Sequence, residues 1–166
     1  MLSKLFGKSK QKVIEISSPL SGTIIPLSLV PDEAFAGKHM GVGIAILPSE
    51  GKIIAPFSGS VAHLIHTNHA IILAHTSGLQ LLIHIGINTV ALNGDWFKPY
   101  ISTGDEFEAG QILIEFDPKA IKAAGYSTIC PVVIANEEEV NIIEVTTSEG
   151  RITAGNDLIL TALMSG

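Results

Sequence analysis

Short apolar runs rich in Ile, Val and Leu recur along the chain, separated by polar stretches carrying Gly, Pro, Asn, Asp or Ser. They lie at Thr23–Leu29, Gly43–Leu47, Lys52–Ile54, Ser60–Ile65, Ala70–Ala74, Leu79–Ile85, Gln111–Phe116, Pro131–Ile134, Asn141–Thr146 and Asp157–Leu163. Runs of strand length with frequent turn signals between them predict an all-β, antiparallel sandwich or barrel. Helical patterning is confined to Asp32–Ala36, Thr89–Leu92 and Pro118–Ala124, the last ended by Gly125. Two internal echoes point to a duplicated architecture. Ser18-Pro19-Leu20-Ser21-Gly22-Thr23-Ile24 resembles Ala55-Pro56-Phe57-Ser58-Gly59-Ser60-Val61, and Gly104…Gly110-Gln111-Ile112 resembles Gly150…Gly155-Asn156-Asp157. Two copies are too few for a solenoid, so a pseudo-symmetric closed sandwich with few short helices fits better.

Residues 1–16 read differently. Lys4, Lys8, Lys10 and Lys12 surround Met1, Leu2, Leu5 and Phe6, which predicts a flexible basic tail ahead of a single domain over 17–166. At most such a tail makes peripheral contact with an anionic membrane surface. The stretch is too short in apolar residues for a secretory signal, and no run reaches membrane-spanning length; a cytoplasmic protein is expected. Of the 166 residues, 46% are hydrophobic and 16% charged, with a formal charge of −6. That supports a sizeable core and argues against disorder and against nucleic-acid binding by counterion release. The one cysteine, Cys130, excludes an internal disulfide framework and a multi-cysteine zinc site.

Candidate chemistry concentrates in the histidines, five of which lie between His63 and His84. His75-Thr76-Ser77-Gly78 is the turn signal between two strands. A four-residue loop there, or a two-residue loop at Thr76-Ser77, pairs positions whose numbers sum to 153, as 69 and 84 do. Directly opposed Cβ atoms are roughly 5 Å apart and share a face. On this register Ile71, Leu73 and Leu82 accompany the histidines, while Leu81, Ile83 and Ile85 look into the core. Two facing imidazoles can bind a metal, or one can attack phosphorus while the other stabilises the transferring group. They can equally be structural hydrogen-bonding residues. His39, His63, His66 and His75 have no comparable partner. The chain has no H-E-x-x-H, no Walker A loop, no G-x-G-x-x-G before a helix and no G-x-S-x-G elbow.

Thr67-Asn68-His69-Ala70-Ile71, followed by Leu82-Ile83-His84-Ile85-Gly86-Ile87-Asn88-Thr89-Val90, resembles the active-site hairpin of the glucose-family enzyme IIA proteins of the bacterial sugar phosphotransferase system. Ser18–Gly22, Phe35-Ala36-Gly37-Lys38 through Gly41-Val42-Gly43-Ile44-Ala45, Ala55–Gly59 and Ser127–Val133 extend the likeness over about residues 17 to 161. The resemblance implies a duplicated β-sandwich with a shallow apolar depression. It implies His84 as the nucleophile phosphorylated at Nε2, His69 as the residue passing the group onward, and Thr67 as a supporting hydroxyl. The donor would be the histidine-containing phosphocarrier protein and the acceptor a cysteine of a IIB domain of a glucose-type permease. No cofactor is required. Zinc between His69 and His84 at a partner interface, and regulatory target proteins, come with some relatives.

A backbone carbonyl, that of Gly86, is the expected acceptor for His84 Nδ1–H. The expected partner rim comprises Phe35, Ile65, Ile71, Asn88 and Val90, with Asp32 as an acidic contributor. Asn88 and Val42 stand where the family usually has Asp, which removes negative charge near the site and bears on donor association. Cys130 reads as a small buried hydrophobe. The alternative is a non-enzymatic regulatory binding module using the same histidine face, zinc-bridged or not. A lipoyl- or biotinyl-type carrier lacks its lysine-bearing hairpin tip.

Overall fold

A computed structural model describes residues 12–164. In chain order it contains β1 (Val13–Ser17), β2 (Gly22–Ile25), a 3-10 turn (Leu27–Leu29), α1 (Glu33–Ala36), β3 (Val42–Pro48), β4 (Lys52–Ile54), β5 (Gly59–Leu64), β6 (Ala70–His75) and β7 (Gln80–His84). A second 3-10 turn (Thr89–Leu92) leads to β8 (Phe97–Pro99), β9 (Glu106–Phe107), β10 (Ile112–Phe116), α2 (Pro118–Ala123) and β11 (Cys130–Ile134). A third (Glu137–Glu139) precedes β12 (Val140–Val145), β13 (Arg151–Ile152) and β14 (Leu158–Met164). The strands form an eight-stranded sheet in the order β13-β2-β3-β11-β7-β6-β5-β9 and two three-stranded sheets, β1-β14-β12 and β4-β10-β8. Every registered pair is antiparallel, so the all-β antiparallel expectation holds.

Several boundaries move for local reasons. The run Thr23–Leu29 does not stay a strand: β2 stops at Ile25, before Pro26, and Leu27–Leu29 turn into a 3-10 helix. The expected tail over 1–16 is too long. Val13–Ser17 pairs with β14, burying Ile14 and Ile16; the alternation of Val-Ile-Glu-Ile-Ser is that of a half-buried strand. The tail's membrane contact concerns residues 1–11, which lie outside the described residues.

Both short helices are capped by their sequence. Asp32 accepts from the Ala34 amide at 2.9 Å and Asp117 accepts from the Ala120 amide at 3.0 Å, with Pro118 at the first turn of α2.

The alternation of side chains across the eight-stranded sheet sorts its residues into two apolar clusters. Ile44, Ile46, Ile71, Leu73, Leu81, Ile83, Val132 and Ile134 join the main core. Their neighbours Ala45, Ala70, Leu82 and Val133 join a second cluster, with Leu27, Val30, Phe35 and Ile87. The 3-10 turn and α1 thus lie on this other sheet face. That smaller cluster is the bed on which the candidate site is built.

Candidate functional site

The two strands of the central hairpin are offset by one from the expected register. Ala70 pairs with His84, Ile72 with Leu82 and Ala74 with Gln80. The cause is the loop. His75 N–H donates to Leu79 O at 2.8 Å and Gly78 N–H to His75 O at 2.9 Å, so three residues, Thr76 to Gly78, make the turn. Gly78 at φ 97° takes the left-handed position of a three-residue hairpin loop. A shift of one residue exchanges faces. Ile71 is therefore 0% exposed in the main core and is not a rim residue, and Leu73 is buried beside it. Ile72, which the expected register turned inward, packs half-buried against the second cluster, on the face of His84. The third loop position of Gly78 is the signal that identifies Ile72.

His69 reaches the site by another route than strand opposition. It precedes β6, in the connection closed by Asn68 N–H to Ile65 O at 2.7 Å, with Asn68 at φ 61°. This bend frees His69 from strand alternation, although Ile85 N–H still donates to its carbonyl at 2.7 Å. The His69 and His84 rings stand 5.0 Å apart between centroids at 77°, nearly edge to face. Thr67 is buried, its hydroxyl 2.6 Å from His69 Nδ1.

His84, at the end of β7, places Nδ1 2.7 Å from Gly86 O. A carbonyl only accepts, so the proton resides on Nδ1 and the Nε2 lone pair is left for chemistry. The return of this carbonyl toward its own histidine needs Gly86 at φ 73°. A Cβ there would lie 2.6 Å from Thr89 Cγ2 and 2.7 Å from Ser127 O, so no larger residue fits.

Both rings are kept neutral. Burial lowers the His84 pKa, opposed by the Gly86 carbonyl and by Asp32. Burial, then the charges of His84 and His66, lower His69 from 6.5 to about 4.

Phe35 was expected on the rim, but it is 4% exposed. Its ring stands 5.2 Å from His84 at 60°, so it is a buried wall of the depression, held there by α1. Ile65 is half-buried against the same cluster. Val90 is 52% exposed, and Asn88 is exposed at φ 61°, a conformation Asn tolerates. Val42 is half-buried at the start of β3, paired with Ile134.

The remaining histidines stay outside the pair. His39 is exposed near Glu33, at 3.9 Å. His63 and His66 are exposed. His75 sits at the hairpin tip with Nδ1 2.9 Å from Ser77 Oγ and its ring edge-on to Phe57. Cys130 is fully buried, its thiol donating to Thr128 O at 3.2 Å, and burial pushes its pKa up to about 12; it packs as a small hydrophobe. Among the described residues no group of three or more His, Cys, Asp or Glu is placed to hold a metal. No helix among them is long and apolar enough to cross a membrane.

The family described as "phosphoenolpyruvate-dependent sugar phosphotransferase system, EIIA 1" matches residues 14–140. The glucose-specific EIIA component of Staphylococcus aureus is 38% identical over 167 residues, covering 99% of this chain and 100% of that protein. The beta-glucoside-specific EIIBCA component of Halalkalibacterium halodurans is 45% identical over 145 residues, 87% of this chain. The chain spans only 23% of that relative's length. Among solved structures, glucose permease IIA from Mycoplasma capricolum superposes with a TM-score of 0.80 at 30% identity, covering 90% of this chain and 96% of that one.

Proposed function

The chain belongs to the EIIA 1 family of the phosphoenolpyruvate-dependent sugar phosphotransferase system, and on that premise we propose that it relays a phosphoryl group through His84. The observation that carries the proposal is the bond from His84 Nδ1 to Gly86 O at 2.7 Å. It fixes the tautomer and leaves Nε2 as a nucleophile beside a second, buried imidazole.

The donor is the phosphohistidine of the histidine-containing phosphocarrier protein. The His84 Nε2 lone pair attacks its phosphorus in line, the donor P–N bond breaks, and the donor imidazole keeps the electron pair. One phosphoramidate replaces another, so catalysis reduces to positioning and charge stabilisation. His69 is neutral because burial holds its pKa near 4. In this reading the Thr67 hydroxyl, 2.6 Å from His69 Nδ1, is the donor of that bond, which leaves Nε2–H to donate to a phosphoryl oxygen; this bond gains strength where water is excluded. In the second step a cysteine thiolate of a IIB domain attacks the phosphorus and the P–Nε2 bond breaks. A relative named for its EIIB, EIIC and EIIA parts together supports a IIB acceptor, and relatives named glucose- and beta-glucoside-specific support a glucose-type permease.

The relay works in the cytoplasm and needs no cofactor. A zinc ion takes four ligands, and the histidine pair offers two, so a zinc-bridged complex draws the others from a partner. Relatives named as transfer-system components give no support to a purely regulatory module.

The test is incubation with phosphoenolpyruvate, enzyme I and the histidine phosphocarrier, followed by intact mass. One acid-labile phosphoryl group is expected on the wild type and none on His84→Gln. His69→Gln should load and fail to pass the group on. No mass change under complete conditions, or loading of His84→Gln, contradicts the proposal.

A further inference from the structure

The three peptide units that follow His84 are each pinned. In the first, Ile85 N–H donates to His69 O at 2.7 Å. In the second, Ile85 O accepts from Thr89 Oγ1 at 2.5 Å. In the third, Ile87 N–H donates to Ser127 O at 3.1 Å while Gly86 O takes the proton of His84 Nδ1 at 2.7 Å. Two side chains outside the histidine pair meet this loop: the Thr89 hydroxyl on Ile85 O, and the Cys130 sulfur, which accepts from the Gly86 N–H of the same peptide. Thr89 is 0% exposed, so its hydroxyl has no competing water. Its methyl fills the space under Gly86, where a Cβ would come within 2.6 Å. Asn88 in the left-handed conformation, at φ 61°, is what turns the chain so that Thr89 arrives beneath the loop.

We infer that Thr89 is a positioning residue for His84: its hydroxyl fixes the Ile85–Gly86 peptide, and through it the direction of the Gly86 carbonyl that holds the imidazole in the Nδ1–H form. The hydroxyl never reaches the reacting atoms. Without it, Ile85 O loses its partner, and the peptide keeps only the weak Gly86 N–H to Cys130 sulfur contact against rotation. Gly86, with no side chain to oppose that rotation, follows. The Gly86 carbonyl is then tethered only through the longer Ile87 N–H to Ser127 O bond at 3.1 Å; it turns from His84 Nδ1 for part of the time, and the ring divides between its two tautomers. In the Nε2–H form the nucleophilic nitrogen is blocked. Ile85, whose carbonyl Thr89 caps, is also the residue whose amide donates to the His69 backbone carbonyl, so the backbone of both histidines meets at this residue.

Two hydroxyl-free variants and one hydroxyl-bearing variant separate orientation from simple packing. Thr89→Val keeps the shape, Thr89→Ala removes shape and hydroxyl, and Thr89→Ser keeps the hydroxyl alone. The first readout is the nitrogen-15 spectrum of the histidine rings near pH 8 in chelator-treated protein. Wild type and Thr89→Ser should show His84 as one tautomer, protonated at Nδ1. Thr89→Val and Thr89→Ala should show a second population protonated at Nε2. The second readout is phosphoryl loading, which should slow about tenfold in the Val and Ala variants, the low end of the effect of removing the partner that orients a metal-ligating histidine, and recover in Ser. The loading result rests on the phosphocarrier reading; the tautomer result does not, so failure of one is distinguishable from failure of the other. A folded Thr89→Val with His84 still wholly in the Nδ1–H form overturns the inference. So does a Ser variant that behaves like Val. If neither Val nor Ala folds, the hydroxyl serves the fold and the positioning role is refuted.

Discussion

The buried His69 should make the protein lose stability on mild acidification. Its native pKa is about 4 against 6.5 for an unstrained histidine. Above pH 6.5 the ring is neutral in both folded and unfolded chains, and it adds no pH dependence. Between 6.5 and 4 the unfolded chain binds a proton that the native ring refuses. Unfolding is then favoured by about 1.4 kcal/mol for each pH unit. Below about 4 the native ring also takes the proton and the slope disappears. From pH 6.5 to pH 5 the loss attributable to His69 is about 2 kcal/mol, or roughly 1 M in urea midpoint for a slope near 2 kcal/mol/M. His84 is shifted in the same direction and steepens the curve. Urea unfolding of wild type and His69→Gln at pH 7.5, 6.5, 5.5 and 5.0 isolates the His69 share, because the carboxylates and other histidines are common to both. The wild type should lose about 2 kcal/mol more than the variant over this range. Parallel curves would refute the claim that burial keeps His69 neutral.

Gly86→Ala should cost about 1 to 3 kcal/mol in thermal unfolding, because a Cβ at φ 73° meets Thr89 Cγ2 and Ser127 O at 2.6 and 2.7 Å; it should also slow loading, and a stable, fully active Ala variant would show that the loop is not held as described. Ile71→Ala should destabilise by about 2 to 5 kcal/mol as a core cavity, whereas Ile72→Ser should change stability far less yet slow loading at limiting donor; equal unfolding midpoints would contradict the observed hairpin register. Cys130, fully buried with its pKa near 12, should resist iodoacetamide near pH 8 and react once urea unfolds the chain, and alkylation of the native protein at the unfolded rate would contradict its burial.

Strand existence was legible where period and length agree, as in β6, β10 and β11. The two-residue strands β9 and β13 carry no readable pattern, whereas the three-residue β4 was legible in its Lys-Ile-Ile run. The hairpin register failed for a physical reason: pairing parity depends on loop length, and a loop of two or four residues lacks the left-handed third position that Gly78 supplies at φ 97°. That error moved Ile71 and Ile72 to each other's faces. The histidine pairing survived because His69 is placed by the bend after Asn68, which strand alternation does not govern. Phe35 was legible as a neighbour of the site through its motif. Its burial was not, since that depends on α1 folding over the second apolar cluster. The Gly86 carbonyl was predictable because the residue two beyond a strand-end histidine is within reach of its Nδ1. Thr89 was visible as a motif letter, and its hydroxyl role emerges only from the folded loop.

The central claim is that Nε2 of His84 receives the phosphoryl group, and long-range proton–nitrogen correlation spectra of the phosphorylated protein test it most directly. The geometry predicts phosphorus on Nε2 of His84, with Nδ1 still protonated against the Gly86 carbonyl. Phosphorus on Nδ1 of His84, or on any other histidine, would contradict the account.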